Sequence, residues 1–395
     1  MVTYARSPKA SRPALAAALA RAIAEAPVRR PSRCFGVFVW AVAVIMCPGH
    51  EVGAAGLLRQ RQPASRTPAG RTWTVPRTPD GDPDLQGVWK YATSTPLERP
   101  TQRDCNQTIG DVRIVAPCAL ADKESLTEEE AAEFERRSRQ GSNADRRDGN
   151  LENELFRAYN NFWYDDERVK LIKSHRTSLI VDPAHGKLPA LTATAIKDAQ
   201  NREAARADLA RRYGENGRMD GPEDRPLSER CLSVRIPVLP AVYNNNIQIV
   251  QGQGYVVIVN EMIHDARVIP LDGQRRVGRA IRQWIGDSVG HWEGSTLVVE
   301  TTNFNGKAGF RGATANMRLT ERFARIDGDA LRYRFTVDDP ATWVRPWTAE
   351  FPMTKSTEGF FEFACHEGNY GIAVNGHSKL PSCGHRKFPT PSGWS

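Results

Sequence analysis

From Ala241 to Glu367 the chain reads as one short strand-like segment after another. "NIQIVQGQGYVVIVNEMIHDARVIPL", "AIRQWIGDS", "TLVVETTNF", "MRLTERFARI", "ALRYRFTV", "WTAEFPMT" and "GFFEFACHE" succeed each other, separated by turns rich in Gly and Asp. β-Branched and aromatic residues recurring at short range, broken by turn formers, exclude a helical bundle. Strands joined by tight turns pair antiparallel. The expected fold is therefore mainly β, an antiparallel meander forming either a barrel or a sandwich, with helical insertions.

The insertions announce themselves by their caps. In "SLTEEEAAEFERRSRQ", Thr127 stands three residues before Glu130, the spacing of a capping box, with Leu126 and Ala131 placed for a hydrophobic staple. A second helix is expected over Ala193–Tyr213, started by Thr192 and stopped by Gly214. These fall inside a helical insertion at about 125–215 of a single β-rich domain spanning 85–380. Residues 56–84, rich in Arg, Pro, Thr and Gly, read as a linker, and 381–395 as a tail.

Residues 1–55 read as an extended leader ending in an export signal. Arg29, Arg30 and Arg33 precede the apolar run "CFGVFVWAVAVIMC", and small residues follow in "VGAAG". The location implied is periplasmic or secreted, with no membrane span once the signal is removed. The leader holds seven Lys and Arg against two Glu, so it supplies five of the eight surplus positive charges. The domain's basic residues are interleaved with acidic ones. No basic stripe suited to phosphates exists, and nucleic acid is not an expected partner. Of seven cysteines, Cys105, Cys118, Cys231, Cys365 and Cys383 lie outside the leader. Export permits disulfides. Cys105–Cys118 is the first expected pair and Cys231–Cys365 the second.

Side-chain parity along the strands selects candidate site residues. In "MRLTERFARI" the odd positions Met317, Leu319 and Phe323 are apolar, and Glu321 shares their face. In "ALRYRFTV" the matching face is Leu331, Tyr333, Phe335 and Val337. A carboxylate pointing into such surroundings must be paired or protonated. Counting 255–269 as one strand puts His264 inward with Asn260, and leaves Asp265 and Arg267 to pair on the other face. His291 and Glu293 fall at an expected turn beside Gly290 and Gly294. His366, Glu367 and Asn369 end the last expected strand. Trp284 and Trp292 are candidate ligand-lining rings.

The sequence contains no Walker loop, and the isolated "GQG" is no dinucleotide fingerprint. No Cys-x-x-Cys pair suggests a zinc cluster. A divalent metal such as zinc remains an option through convergence of His264, His291 and His366. Each histidine alone is more often a hydrogen-bonded packing residue than a catalyst.

"GVW" at Gly87–Trp89, opening the domain ahead of the meander, resembles the Gly-x-Trp start of lipocalin-type barrels. This resemblance implies the barrel, an antiparallel meander closing in lipocalin-like fashion. "PDLQGVW", "EMIHDARVIPLDG", "GHWEGSTLVVETTNF", "TERFARID", "FTVDDPATWVRPWT" and "ACHEGNY" together resemble a family of exported bacterial proteins without an established activity. That resemblance implies export and one β-rich domain, and it transfers no catalytic residue. Two functions are expected in competition. One is an exported enzyme, a lyase, isomerase or hydrolase, working on a small organic molecule. It would use acid–base chemistry by His264, His291, His366 and Glu321, with Asn260 or Asn369 donating to an oxyanion. The other is a non-catalytic lipocalin-like protein that binds an apolar or aromatic ligand.

Overall fold

The computed structural model describes residues 73–102, 119–143, 145, 161, 164–214, 221–232, 236–241, 243–271, 277–278, 280–307, 310–367 and 369. The leader, the Cys105–Cys118 pair, Cys383 and the tail lie outside these residues.

The turn-punctuated segments form ten strands: β1 (Gly87–Lys90), β2 (Ile180–Asp182), β3 (Asn246–Gly252), β4 (Tyr255–Asn260), β5 (Ala266–Pro270), β6 (Asp287–Glu293), β7 (Thr296–Thr302), β8 (Arg318–Arg325), β9 (Ala330–Asp338) and β10 (Trp347–Lys355). Nine run side by side in the order β5-β4-β3-β1-β10-β9-β8-β7-β6, and β2 pairs with β10 off this path. Each strand in this path pairs antiparallel with its neighbours. Among the described residues the chain is thus mainly β, an antiparallel sheet in a nearly closed barrel shape, as the segments lead one to expect.

Nine strands cannot alternate direction all the way around a ring, so one seam must be parallel. That seam lies between β5 and β6, where Leu271 and Gly290 form a parallel bridge. Gly290 explains how the two backbones come so close. A Cβ there would sit 3.0 Å from both Ile269 Cγ2 and Leu271 Cδ2.

The inward parity of the strands makes the core. Trp89, Ile247, Ile249, Val256, Ile258, Ile269, Leu297, Val299, Phe323, Phe335, Trp347 and Phe351 are all buried in one cluster. One rim is closed by Trp89, whose indole Nε1 donates to the Leu85 carbonyl at 2.8 Å. The Arg325 guanidinium lies 5.7 Å from the centroid of the Trp89 ring, within cation–π range. At the opposite rim the buried Asp339 accepts from Thr314 N, Thr342 Oγ1 and Ala341 N, which ties two loops together.

Among the described residues two α-helices accompany the sheet. Helix α1 (Glu128–Gly141) begins with the expected capping box between Thr127 and Glu130, and buries Ala131 and Phe134. Helix α2 (Ala193–Tyr213) has Thr192 as its cap and Gly214 at φ 86° as its stop, and none of its residues is buried.

Three readings of the strand series need correction: "AIRQWIGDS" is irregular up to Gly286, apart from an isolated bridge at Gln283, and lends only Asp287 and Ser288 to β6. "GFFEFACHE" does not form a strand; Gly359–Ala364 is irregular and Cys365–Glu367 is a turn. It has no ladder partner, because β10 already stands between β9 and β1. "VGHWE" is strand rather than turn, with the reversal falling after Glu293. The Cys231–Cys365 disulfide is present and fastens the post-barrel segment to the 227–231 turn. Asn369 Nδ2 adds a 2.7 Å bond to the Glu229 carbonyl.

Candidate functional site: a polar bridge inside the barrel

Glu321 is fully buried on β8, as its parity requires. Its partner is Arg267, which stands on β5 with 5 % of its surface exposed. Arg267 Nη1 donates to Glu321 Oε2 at 2.6 Å and Nη2 to Oε1 at 3.1 Å. The Tyr333 hydroxyl, on β9, donates to the same Oε1 at 2.7 Å. Going round the wall through the seam, β6 and β7 separate Arg267 from Glu321. β6 offers the small inward residues Ser288 and Gly290 where the arginine must pass.

The electrostatics are self-contained. Burial pulls the Arg267 pKa down, but the charge and hydrogen bonds of Glu321 outweigh it and leave it raised. Burial, then the charge and hydrogen bond of Glu321, push the Tyr333 phenol well above its ordinary value. The guanidinium of Arg267 therefore stays charged and the phenol of Tyr333 stays neutral.

The inward position of Arg267 corrects the expected Asp265–Arg267 pair. The strand that was counted from 255 to 269 breaks after Asn260. Met262–His264 forms a tight 3-10 turn with Ile263 at φ 64° and His264 at φ 45°. Strand parity does not survive such a turn. β5 starts afresh as the hairpin partner of β4, with Arg267 opposite Ile258. His264 moves to the exterior, and its Nδ1 lies 3.1 Å from the Phe363 carbonyl. Left-handed backbone at a β-branched residue such as Ile263 is a local strain.

The other candidates occupy separate places. Asn260 is inward and buried, as expected. His291 faces outward on β6 and pairs with Glu293 at 3.3 Å, while Arg322 holds Glu293 at 2.7 Å. Trp292 packs partly buried against the core, and Trp284 is half-buried in the approach to β6. His366 is exposed, and Asn369 serves the segment after the barrel. The three histidines therefore do not meet at Glu321. Among the described residues no three His, Cys, Asp or Glu side chains are arranged to hold a metal ion.

Sequence reasoning missed three residues here. Arg267 was assigned to the wrong face, and the signal that could have found it is the inward Glu321, which demands a cation. Glu261 and Asn246 were not singled out. Asn246 Nδ2 donates to Glu261 Oε2 at 2.8 Å. Burial raises the Glu261 pKa, while Asn246 and the Phe361 backbone N–H oppose the shift.

Four polar atoms on the inward face, Asn260 Oδ1, Arg267 Nε, Trp292 Nε1 and Trp347 Nε1, are buried and have no hydrogen-bond partner among the described residues. The chain matches no protein-family model, no curated protein and no solved structure.

Proposed function

We propose that this chain is an exported protein that binds a small, largely apolar or aromatic molecule inside its barrel without turning it over. The observation that carries this reading is a barrel whose inner wall is apolar and aromatic apart from a few buried polar side chains, Asn260, Arg267, Glu321 and Tyr333 among them. A buried polar atom left without a partner costs about 1–3 kcal/mol, and a ligand that supplies the partner regains it. Aromatic side chains from β1, β8, β9 and β10 furnish the apolar part of the wall. The competing acid–base reading has less support. Its histidines lie outside the barrel, and both oxygens of Glu321 already accept hydrogen bonds.

The test is a thermal-shift series on the folded, oxidised protein with toluene, phenol, indole and benzoate. A ligand bound only by the native state adds about 2.7 kcal/mol of stability at a hundredfold excess over Kd. A saturable rise in melting temperature with at least one of these supports the reading. A flat response to all four overturns it.

A further inference from the structure

We infer that the Cys231–Cys365 disulfide is a reducible clasp: a dithiol that opens it releases residues 356–367 as a strap and uncovers Glu261, while the barrel stays folded. This holds whatever the barrel binds.

The strap follows β10 and joins no ladder. Ser356 N donates to the Val88 carbonyl at 2.8 Å, and Glu358 meets Lys90 Nζ at 3.1 Å, both on β1. The strap then reaches the turn after β4. There the Phe361 N–H donates to the Glu261 carboxylate, and the Phe363 carbonyl faces His264 Nδ1 at 3.1 Å. Cys365 closes the run by its bond to Cys231.

What lies beneath is polar and dry. Ile247 and Ile249 point into the barrel, so Asn246 points out of it by parity, yet Asn246 is buried. Its side-chain amide donates to Glu261, which is 3 % exposed. An outward amide and its carboxylate partner stay this dry only under an external cover. The strap supplies part of that cover through Phe361.

The barrel core does not depend on the strap. Neither apolar cluster contains a strap residue, and Phe361 is 65 % exposed. The non-covalent ties are a few bonds near the surface, each of which returns little in exchange for water. Fixing the backbone of a segment this long costs more than such bonds return. The covalent bond therefore keeps the strap in place, and its loss opens the segment without global unfolding.

The clasp is open to attack from one side. Cys365 is partly exposed, whereas Cys231 is buried. One thiolate of the dithiol attacks Cys365 Sγ, and Cys231 leaves as a thiolate that takes up a proton. The second thiol of the reductant then attacks the mixed disulfide, frees Cys365 as a thiol and closes the reductant's own disulfide. Two electrons and two protons pass from the dithiol to the cysteine pair.

The experiment treats the full, folded, oxidised chain with dithiothreitol in the absence of denaturant. Peptide masses map alkylation at Cys231 and Cys365, and near-ultraviolet circular dichroism follows the barrel. Chymotrypsin cleavage after Phe361 and Phe363 reports the strap, and carbodiimide coupling reports the exposure of Glu261. Both cysteines are expected to become alkylated with the near-ultraviolet signal kept. Cleavage and coupling are expected to rise about tenfold or more, since each follows the open population. Cys231→Ser with Cys365→Ser should show the same released state without reductant. Resistance to reduction until the near-ultraviolet signal is lost would overturn the inference. So would unchanged cleavage or unchanged Glu261 coupling after reduction, or a double variant that does not fold.

Discussion

Arg267 and Glu321 meet as a two-pronged ion pair inside the barrel, at 2.6 and 3.1 Å, although β6 and β7 lie between their strands. A contact of this kind fixes how far the β5 side of the seam stands from β8. It also brings two charges out of water, which costs several kcal/mol per ion before the attraction repays it. Removing one partner strands the other. Glu321→Gln or Arg267→Met alone is expected to lower stability by about 3–5 kcal/mol in urea unfolding. The double replacement Arg267→Met with Glu321→Leu should recover much of that loss, since the charge problem goes with both groups. A double variant as unstable as the sum of the singles would contradict this.

The parallel seam depends on Gly290. A methyl group there would press on Ile269 and Leu271, both buried, and come within 3.4 Å of the Val298 carbonyl. Gly290→Ala is expected to cost about 1–3 kcal/mol, the usual range for overpacking a filled interior. Chemical denaturation with an unchanged slope would measure it. A neutral outcome would mean that β5 and β6 are further apart than the bridge implies.

Glu261 gives a pH signature. Its folded-state pKa is raised above 4.5, chiefly by burial. A raised carboxyl pKa contributes stability that is fully present below the unfolded value and is lost as pH climbs through the folded value. Stability is therefore expected to decline as pH rises from about 4.5 through that raised value. Glu261→Gln keeps the Asn246 and Phe361 contacts within reach and should flatten this decline. Matched unfolding curves at a series of pH values would show it; an identical slope in the variant would assign the decline elsewhere.

The Cys231–Cys365 disulfide joins positions 134 residues apart. Closing a long loop restricts the unfolded chain, and its removal commonly costs about 2–4 kcal/mol. Cys231→Ala with Cys365→Ala should show that loss. It should also release the contacts of the same segment, Asn369 to Glu229 and His264 to Phe363, which hydrogen exchange at 361–369 would detect. Unaltered exchange in the variant would show that these bonds hold the segment alone.

Much of the barrel was legible because period-two patterning and turn chemistry act locally. Glu321 and Tyr333 were placed inward by counting along β8 and β9, which are regular hairpin partners with no irregularity between them. The helices were legible for the same reason, since Thr127 and Thr192 cap them by contacts three residues long. Arg267 was not legible. Its face depends on Ile263 and His264 adopting left-handed backbone, which no propensity of Ile or His favours. His366 was misplaced for a different reason. "GFFEFACHE" has strand-like composition, but the antiparallel neighbours it would need are already taken by β1, β9 and β10. That competition is tertiary and leaves no mark in the segment itself.

On the proposed binding function, Arg267 offers its buried Nε–H to the ligand while Nη1 and Nη2 hold Glu321. Nitrogen–proton NMR of the arginine Nε–H groups tests it directly, with the Arg267 signal assigned by its loss in Arg267→Lys. A slowly exchanging Nε–H signal that shifts saturably as phenol binds is expected. An Arg267 signal that exchanges as fast as surface arginines, or that ignores phenol while phenol binds, would contradict it.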